Sequence, residues 1–139
     1  MAATIQVDIV TPEKVIYSES ADMVTAPGTL GQFGVLPGHA AFVTTLETGL
    51  VVVKKGGTDY RIALSGGFAE IADDKCIILA DTAEAAGTID LPRAEAARNR
   101  ALEGMKIHSP ESAEYLELAA ALRRAENRIS LAAKKLMQE

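Results

Sequence analysis

The sequence predicts an α+β protein: an N-terminal antiparallel β-sandwich of about ten strands, followed by a C-terminal antiparallel two-helix hairpin. Three observations predict it. From Ile5 to Glu84, short β-branched and aromatic runs are broken by Gly, Pro and Asp, with no helical stripe of useful length. Past Gly87 the strand formers give way to Ala, Leu, Glu and Arg. The charge changes at the same place: residues 1–87 carry 5 Lys+Arg against 11 Asp+Glu, and residues 88–139 carry 9 against 8. The expected units are 1–87, the sandwich, and 88–139, the hairpin.

The expected strands are the runs Ile5 to Val10, Val15 to Tyr17, Asp22 to Ala26, Phe33 to Val35, Phe42 to Leu46, Leu50 to Lys54, Asp59 to Leu64, Phe68 to Ile71 and Lys75 to Ala80. Lys55-Gly56-Gly57-Thr58 and Asp73-Asp74 supply residues that tolerate positive φ, so they read as tight hairpins between antiparallel neighbours. Leu50-Val51-Val52-Val53 and Cys76-Ile77-Ile78-Leu79 are continuous apolar runs, which predicts cover on both of their faces.

In the second unit Asp90 stands as an N-cap, and Pro92 fits only in a first helical turn. Leu91, Ala94, Ala97, Ala101, Leu102 and Met105 recur along one stripe of a helix expected to end near Lys106. Ile107-His108-Ser109-Pro110 breaks it, and Ser109-Pro110-Glu111 reads as the cap and start of a second helix. There Tyr115, Leu118, Leu122, Ala125, Ile129, Ala132 and Leu136 step by three and four residues, the seam of a two-helix contact. Glu111, Glu114 and Glu117 come before Arg123, Arg124, Arg128, Lys134 and Lys135, an order that suits the helix dipole. The late cations read either as a solvated face or as a docking edge for an acidic partner. The stripes are rich in alanine and bury little area, so the hairpin is expected to be mobile.

Composition excludes several function classes. Of 139 residues, 48% are hydrophobic and 24% charged, enough for a packed core and too few charges for a disordered chain. A net charge of -5 argues against nucleic acid as a partner. No apolar run approaches membrane-spanning length and the start lacks an export signal, so a cytosolic location without direct membrane insertion is expected. Cys76 stands alone, which leaves no internal disulfide and no zinc finger; core filler is its expected role.

Catalysis finds little support. Ser65-Gly66-Gly67 lacks the glycine two positions earlier that a nucleophile elbow needs. Gly28, Gly31 and Gly34 recur by threes with no helix after them, so they read as turn glycines rather than a phosphate loop. His39 and His108 have no ligand spacing. His39 follows Pro37-Gly38 in a surface turn, where a contact role and a satisfied polar role both fit. No catalytic residue and no metal is expected.

Leu36-Pro37-Gly38-His39-Ala40, Leu64-Ser65-Gly66-Gly67-Phe68-Ala69-Glu70-Ile71 and Leu79-Ala80-Asp81-Thr82-Ala83-Glu84 occur in the order and spacing of one family. The chain resembles, from end to end, the epsilon subunit of bacterial F-type ATP synthase. The resemblance implies a non-catalytic subunit of the rotating central stalk, peripheral on the cytoplasmic face of the plasma membrane. Its implied partners are the gamma subunit, the c-ring and the alpha and beta catalytic subunits. Gln32 and His39 would form the ring contact, with Gln32 standing where some members carry an acid. Arg123, Arg124, Arg128, Lys134 and Lys135 would meet an acidic loop of the beta subunit when the hairpin extends, the form that restrains ATP hydrolysis.

Some members bind ATP through an I/L-D-x-x-R-A motif, which Ile89-Asp90-Leu91-Pro92-Arg93-Ala94 matches. The resemblance extends to Glu84, Arg100, Arg124 and Arg128 as further nucleotide contacts. No cofactor is required in this reading, and ATP would be a regulatory ligand. Asp90 remains open as a helix cap and Arg93 as a local ion-pair partner. A stand-alone ATP-sensing module is the alternative from another class, and a hydrolase built on Ser65 is a third.

Overall fold

In the computed structural model, residues 3–138 are described, with side chains for residues 3–85 and 87–132. Two units emerge, Met1–Ala86 and Gly87–Glu139.

The first unit begins with strict alternation: in β1 (Ile5–Val10) Ile5, Val7 and Ile9 are buried while Gln6, Asp8 and Val10 between them are half-covered. β2 (Val15–Ala21), β3 (Met23–Gly28) and β4 (Gly31–Val35) follow through short turns. β5 (Phe42–Lys55) and β6 (Thr58–Ala72) are long, β7 (Lys75–Ala80) and β8 (Ala83–Ala85) short. The sheet order is β2-β1-β7-β6-β5-β3-β4, with β8 also on β6. β5 and β6 pair along their length, and β6 then holds β8 through Ile62–Leu64 and β7 through Gly67–Ala72. The sheet thereby folds over itself as a sandwich. Ile5, Val7, Ile9, Val24, Val35, Val51, Val53, Ile71, Cys76 and Ile78 are its fully buried centre.

Two expectations need correction here. There are eight strands rather than about ten, because the runs on either side of Gly49 and of Gly66-Gly67 continue as single strands. Those glycines mark close backbone approach rather than chain breaks. A Cβ on Gly67 would lie 2.3 Å from the Leu79 carbonyl oxygen, and one on Gly49 would lie 2.8 Å from the Pro27 Cβ. The sandwich is also not wholly antiparallel: β1 and β7 pair in parallel, Gln6 opposite Lys75 through Val10 opposite Leu79.

The hairpin turns behave as their residues dictate. Gly56 and Gly57 have φ of 57° and 82°, and Asp73 and Asp74 have φ of 51° and 58°, the left-handed values a two-residue hairpin requires.

The second unit holds α1 (Leu91–Met105) and α2 (Ala113–Gln138), after a 3-10 turn at Ala86–Thr88. Asp90 caps α1, its side chain accepting from the Arg93 N–H at 3.1 Å, with Pro92 in the first turn. α2 starts later than Ser109 suggested: Ser112 Oγ accepts from the Tyr115 N–H at 3.1 Å and is the true N-cap. Ser109 Oγ donates to Glu111 at 2.6 Å and holds that carboxyl below its usual range. α1 packs on α2 closely at Gly104, whose missing Cβ would sit 2.8 Å from a Leu118 methyl. Ala94, Ala101, Ala125 and Ala132 are buried, and Tyr115, Leu118, Leu122 and Ile129 half-buried. Leu102, expected on the stripe, is exposed; Leu131, not expected there, is buried. The seam position Leu136 lies outside the residues with described side chains.

Candidate functional site

Ser65, the one serine weighed as a nucleophile, lies in β6 of the sandwich. Ser65 Oγ is hydrogen-bonded to the Thr82 hydroxyl, and its backbone N–H to the Thr82 carbonyl at 3.1 Å. Neither group can activate it. Cys76 is fully buried, and burial pushes its thiol up to about 11, with the Asp8 carboxylate adding to the effect. That environment suits an inert core residue.

The unit offers surfaces instead. β7 was expected to be covered on both faces, but only Cys76, Ile78 and Ala80 are buried. Leu79 is 53% exposed, and Ile77 also stands open. Direct cross-strand partners share a face, so Thr45, Phe68, Leu79 and Val10 form one row across β5, β6, β7 and β1. Val43, Glu70, Ile77 and Asp8 form the next. Val43 and Phe68 are exposed as well, so the outer face is an apolar strip bordered by two acids. Sequence reasoning missed this surface, although the run Cys76 to Leu79 was its signal. The run demands a second cover, and the sandwich core supplies only one.

A second surface lies at the β3–β4 turn and the loop of residues 36–41. Leu30 at the turn is 98% exposed and Leu36 55%. Gln32 is exposed in β4, opposite Pro27 of β3. His39 is half-exposed, its Nδ1 2.6 Å from the Ala40 carbonyl oxygen. Its ring leans on Phe42 at 6.1 Å, and Phe42 packs edge-on against Phe33 at 5.4 Å. An aromatic series thus seats the histidine beside the strand that bears Gln32.

The residues expected to hold a nucleotide are divided. Glu84, in β8 of the sandwich, is half-buried and lines a cavity of about 330 Å³ with Thr11, Glu13, Lys14 and Asp81. The other candidates lie in the second unit. There Ile89 precedes the capping Asp90, whose carboxylate is already engaged. Ala94 is fully buried and serves packing. Arg93 and Arg100 are exposed, seven residues apart on one face of α1, with no ion pair among the described residues. The local ion pair considered for Arg93 is therefore absent there. Arg123 and Arg124 are exposed on α2, and Arg128, one turn beyond Arg124, is half-buried. The Lys134 and Lys135 side chains lie outside the described residues.

Known proteins share this organisation. Residues 4–86 match the model of the ATP synthase delta/epsilon chain β-sandwich domain, and residues 88–133 that of its long α-helix domain. The chain belongs to the ATP synthase delta/epsilon family. It is 48% identical over 134 residues to the ATP synthase epsilon chain of Geobacter metallireducens, covering 96% of this chain and 97% of that one. It is 46% identical over 132 residues to that of Desulforamulus reducens, covering 95% and 99%. Among solved structures it resembles a chain of the Euglena gracilis mitochondrial ATP synthase OSCP/F1/c-ring assembly, with a TM-score of 0.79 and 25% identity over 97% of this chain and 82% of that one. Both family domains are thus present in family order, and no helix of the described residues is long and apolar enough to cross a membrane.

Proposed function

We propose that this chain is a non-catalytic central-stalk subunit of a proton-translocating F-type ATP synthase. It joins the catalytic core to the c-ring and restrains ATP hydrolysis through its C-terminal helices. The observation that carries this reading is the match of both units, in order, to the two domains of one family. The apolar strip of Phe68, Ile77 and Leu79 supports a docking role, since exposed contiguous apolar area marks interaction surfaces. It is the face offered to the gamma subunit, and the Gln32 and His39 edge, with Leu30 and Leu36, is offered to the ring. Docking on both holds the chain peripherally at the cytoplasmic face of the bacterial plasma membrane.

Arg123, Arg124 and Arg128, together with Lys134 and Lys135, supply the cations for an acidic loop of the beta subunit, in contacts that weaken at high salt. Regulatory ATP fits the hairpin in one respect: Arg93 and Arg100 are exposed and present two guanidinium groups to a triphosphate. Asp90 fits less well, because capping already uses its carboxylate.

Deleting residues 88–139 is expected to leave the complex assembled and to raise its ATP hydrolysis; loss of assembly would contradict the division of labour. Leu79→Asp is expected to abolish co-purification with gamma while leaving the circular dichroism of the isolated chain unchanged. Isothermal titration with MgATP beside Arg93→Ala tests the nucleotide, and a stable free monomer that binds ATP without docking would favour the sensing module.

A further inference from the structure

Asp74 is the second residue of the β6–β7 turn, where φ is 58°. Glycine is the ordinary choice at this position of a two-residue hairpin, as Gly57 is in the β5–β6 turn with φ of 82°. An aspartate tolerates this conformation and, unlike glycine, brings a carboxylate to the turn. The structure shows what it touches. Asp74 Oδ1 accepts from the Gly38 N–H at 2.6 Å, a contact between residues 36 apart. Its carbonyl oxygen accepts from the Gln6 N–H at 2.9 Å, which ties the same residue to β1.

Gly38 lies in the loop between β4 and β5 with φ of 84°. The loop's other hydrogen bonds are internal: the His39 N–H donates to the Leu36 carbonyl at 3.1 Å, and His39 Nδ1 meets the Ala40 carbonyl. Among the described residues, the bond to Asp74 is the only hydrogen bond that ties residues 36–41 to another element. A hydrogen bond accepted by a carboxylate is stronger than a neutral one. One strong bond at the centre of a short loop limits how far Leu36 and His39, on either side of it, can wander.

We propose that Asp74 is the positioning residue of this docking loop: its carboxylate holds Gly38 and so presets the pose in which Leu36 and His39 meet the c-ring. The inference rests on the reading of the Gln32 and His39 edge as the ring contact. A loop ordered before docking loses less freedom on binding, so the clamp acts on affinity without touching the partner.

The test uses the full chain, alone and rebound to the synthase stripped of this subunit. Asp74→Gly keeps a residue suited to the turn but removes the acceptor; Asp74→Asn keeps both the turn and an acceptor oxygen. In Asp74→Gly, exchange of the Gly38 amide with solvent should accelerate at least about tenfold, and rebinding should weaken by about the same factor. Asp74→Asn should restore both to within about threefold. Unchanged Gly38 exchange in Asp74→Gly overturns the proposal. So does an unprotected Gly38 amide in the unmodified chain, a measurement that needs no variant to fold. Leu36→Asp is the control for the underlying reading. If it rebinds normally, the loop is not the ring contact; if it fails to rebind while Asp74→Gly rebinds as the unmodified chain does, the contact stands and the positioning role falls.

Discussion

The sandwich and the hairpin hide their side chains in different ways. In the sandwich, large β-branched residues such as Ile5, Ile9, Ile71 and Ile78 are wholly buried, and each contributes about 2–3 kcal/mol of apolar transfer. In the hairpin, Ala94, Ala101, Ala125 and Ala132 make up most of the buried side chains among the described residues, and each contributes far less. The lesson is that one unit is held by large β-branched side chains, whereas the two helices meet largely through alanine and Gly104 and gain less apolar burial from each contact.

The severest way to break this contrast is at glycine. Gly67→Ala places a Cβ 2.3 Å from a backbone oxygen at φ of 145°, and is expected to destabilise the sandwich by about 4 kcal/mol or more in chemical denaturation. Gly104→Ala meets only the flexible end of Leu118 and gains helix propensity, so its net effect on the hairpin should stay under about 1 kcal/mol. Comparable losses at the two sites would erase the distinction.

Truncation probes the cores directly. Ile78→Ala should cost about 3 kcal/mol in the same measurement, whereas Leu118→Ala, half-buried, should lower hairpin stability by about 1–2 kcal/mol.

Alkali offers a test confined to the sandwich. Burial raises the Cys76 thiol from an ordinary 9.0 to about 11 in the folded chain, so well below pH 9 both states keep the proton and its contribution is complete. As pH rises from 9.0 to about 11 the unfolded thiol ionises first, and sandwich stability should fall by up to about 2–3 kcal/mol. Cys76→Ala should flatten that part of the stability–pH curve, and thiol reagents should label the folded chain no faster than it unfolds. A small effect is expected at the helix cap. Asp90→Ala should cost about 1 kcal/mol of hairpin stability, read as lost helical circular dichroism.

Much of this contrast was legible in residue patterns. Alternation in β1, the Gly-Gly and Asp-Asp turns and the Asp90 cap are local signals, and the structure follows them. What failed was read across distance. Gly49 and Gly66 look like breaks along the chain, and only the partner strand shows that they are places of close approach. Leu131 falls off the three–four seam, and Leu102 falls on the stripe yet points outward, because residue spacing cannot say how far round the helix cover extends. The apolar strip on β7 was half legible: the run announced two covered faces, but not that one of them is left open. The tie from Asp74 to Gly38 joins positions too far apart for any pattern to connect.

The parallel pairing of β1 with β7 has a consequence for how the chain is made. β1 is synthesised first, yet its place between β2 and β7 is complete only once Lys75–Ala80 exist to receive it. Nascent chains shorter than this should leave one long edge of β1 unpaired and exposed to aggregation. Closure of the sandwich is therefore a late, long-range event, slowed by the loop it must span, and it can be finished before α2 has been translated.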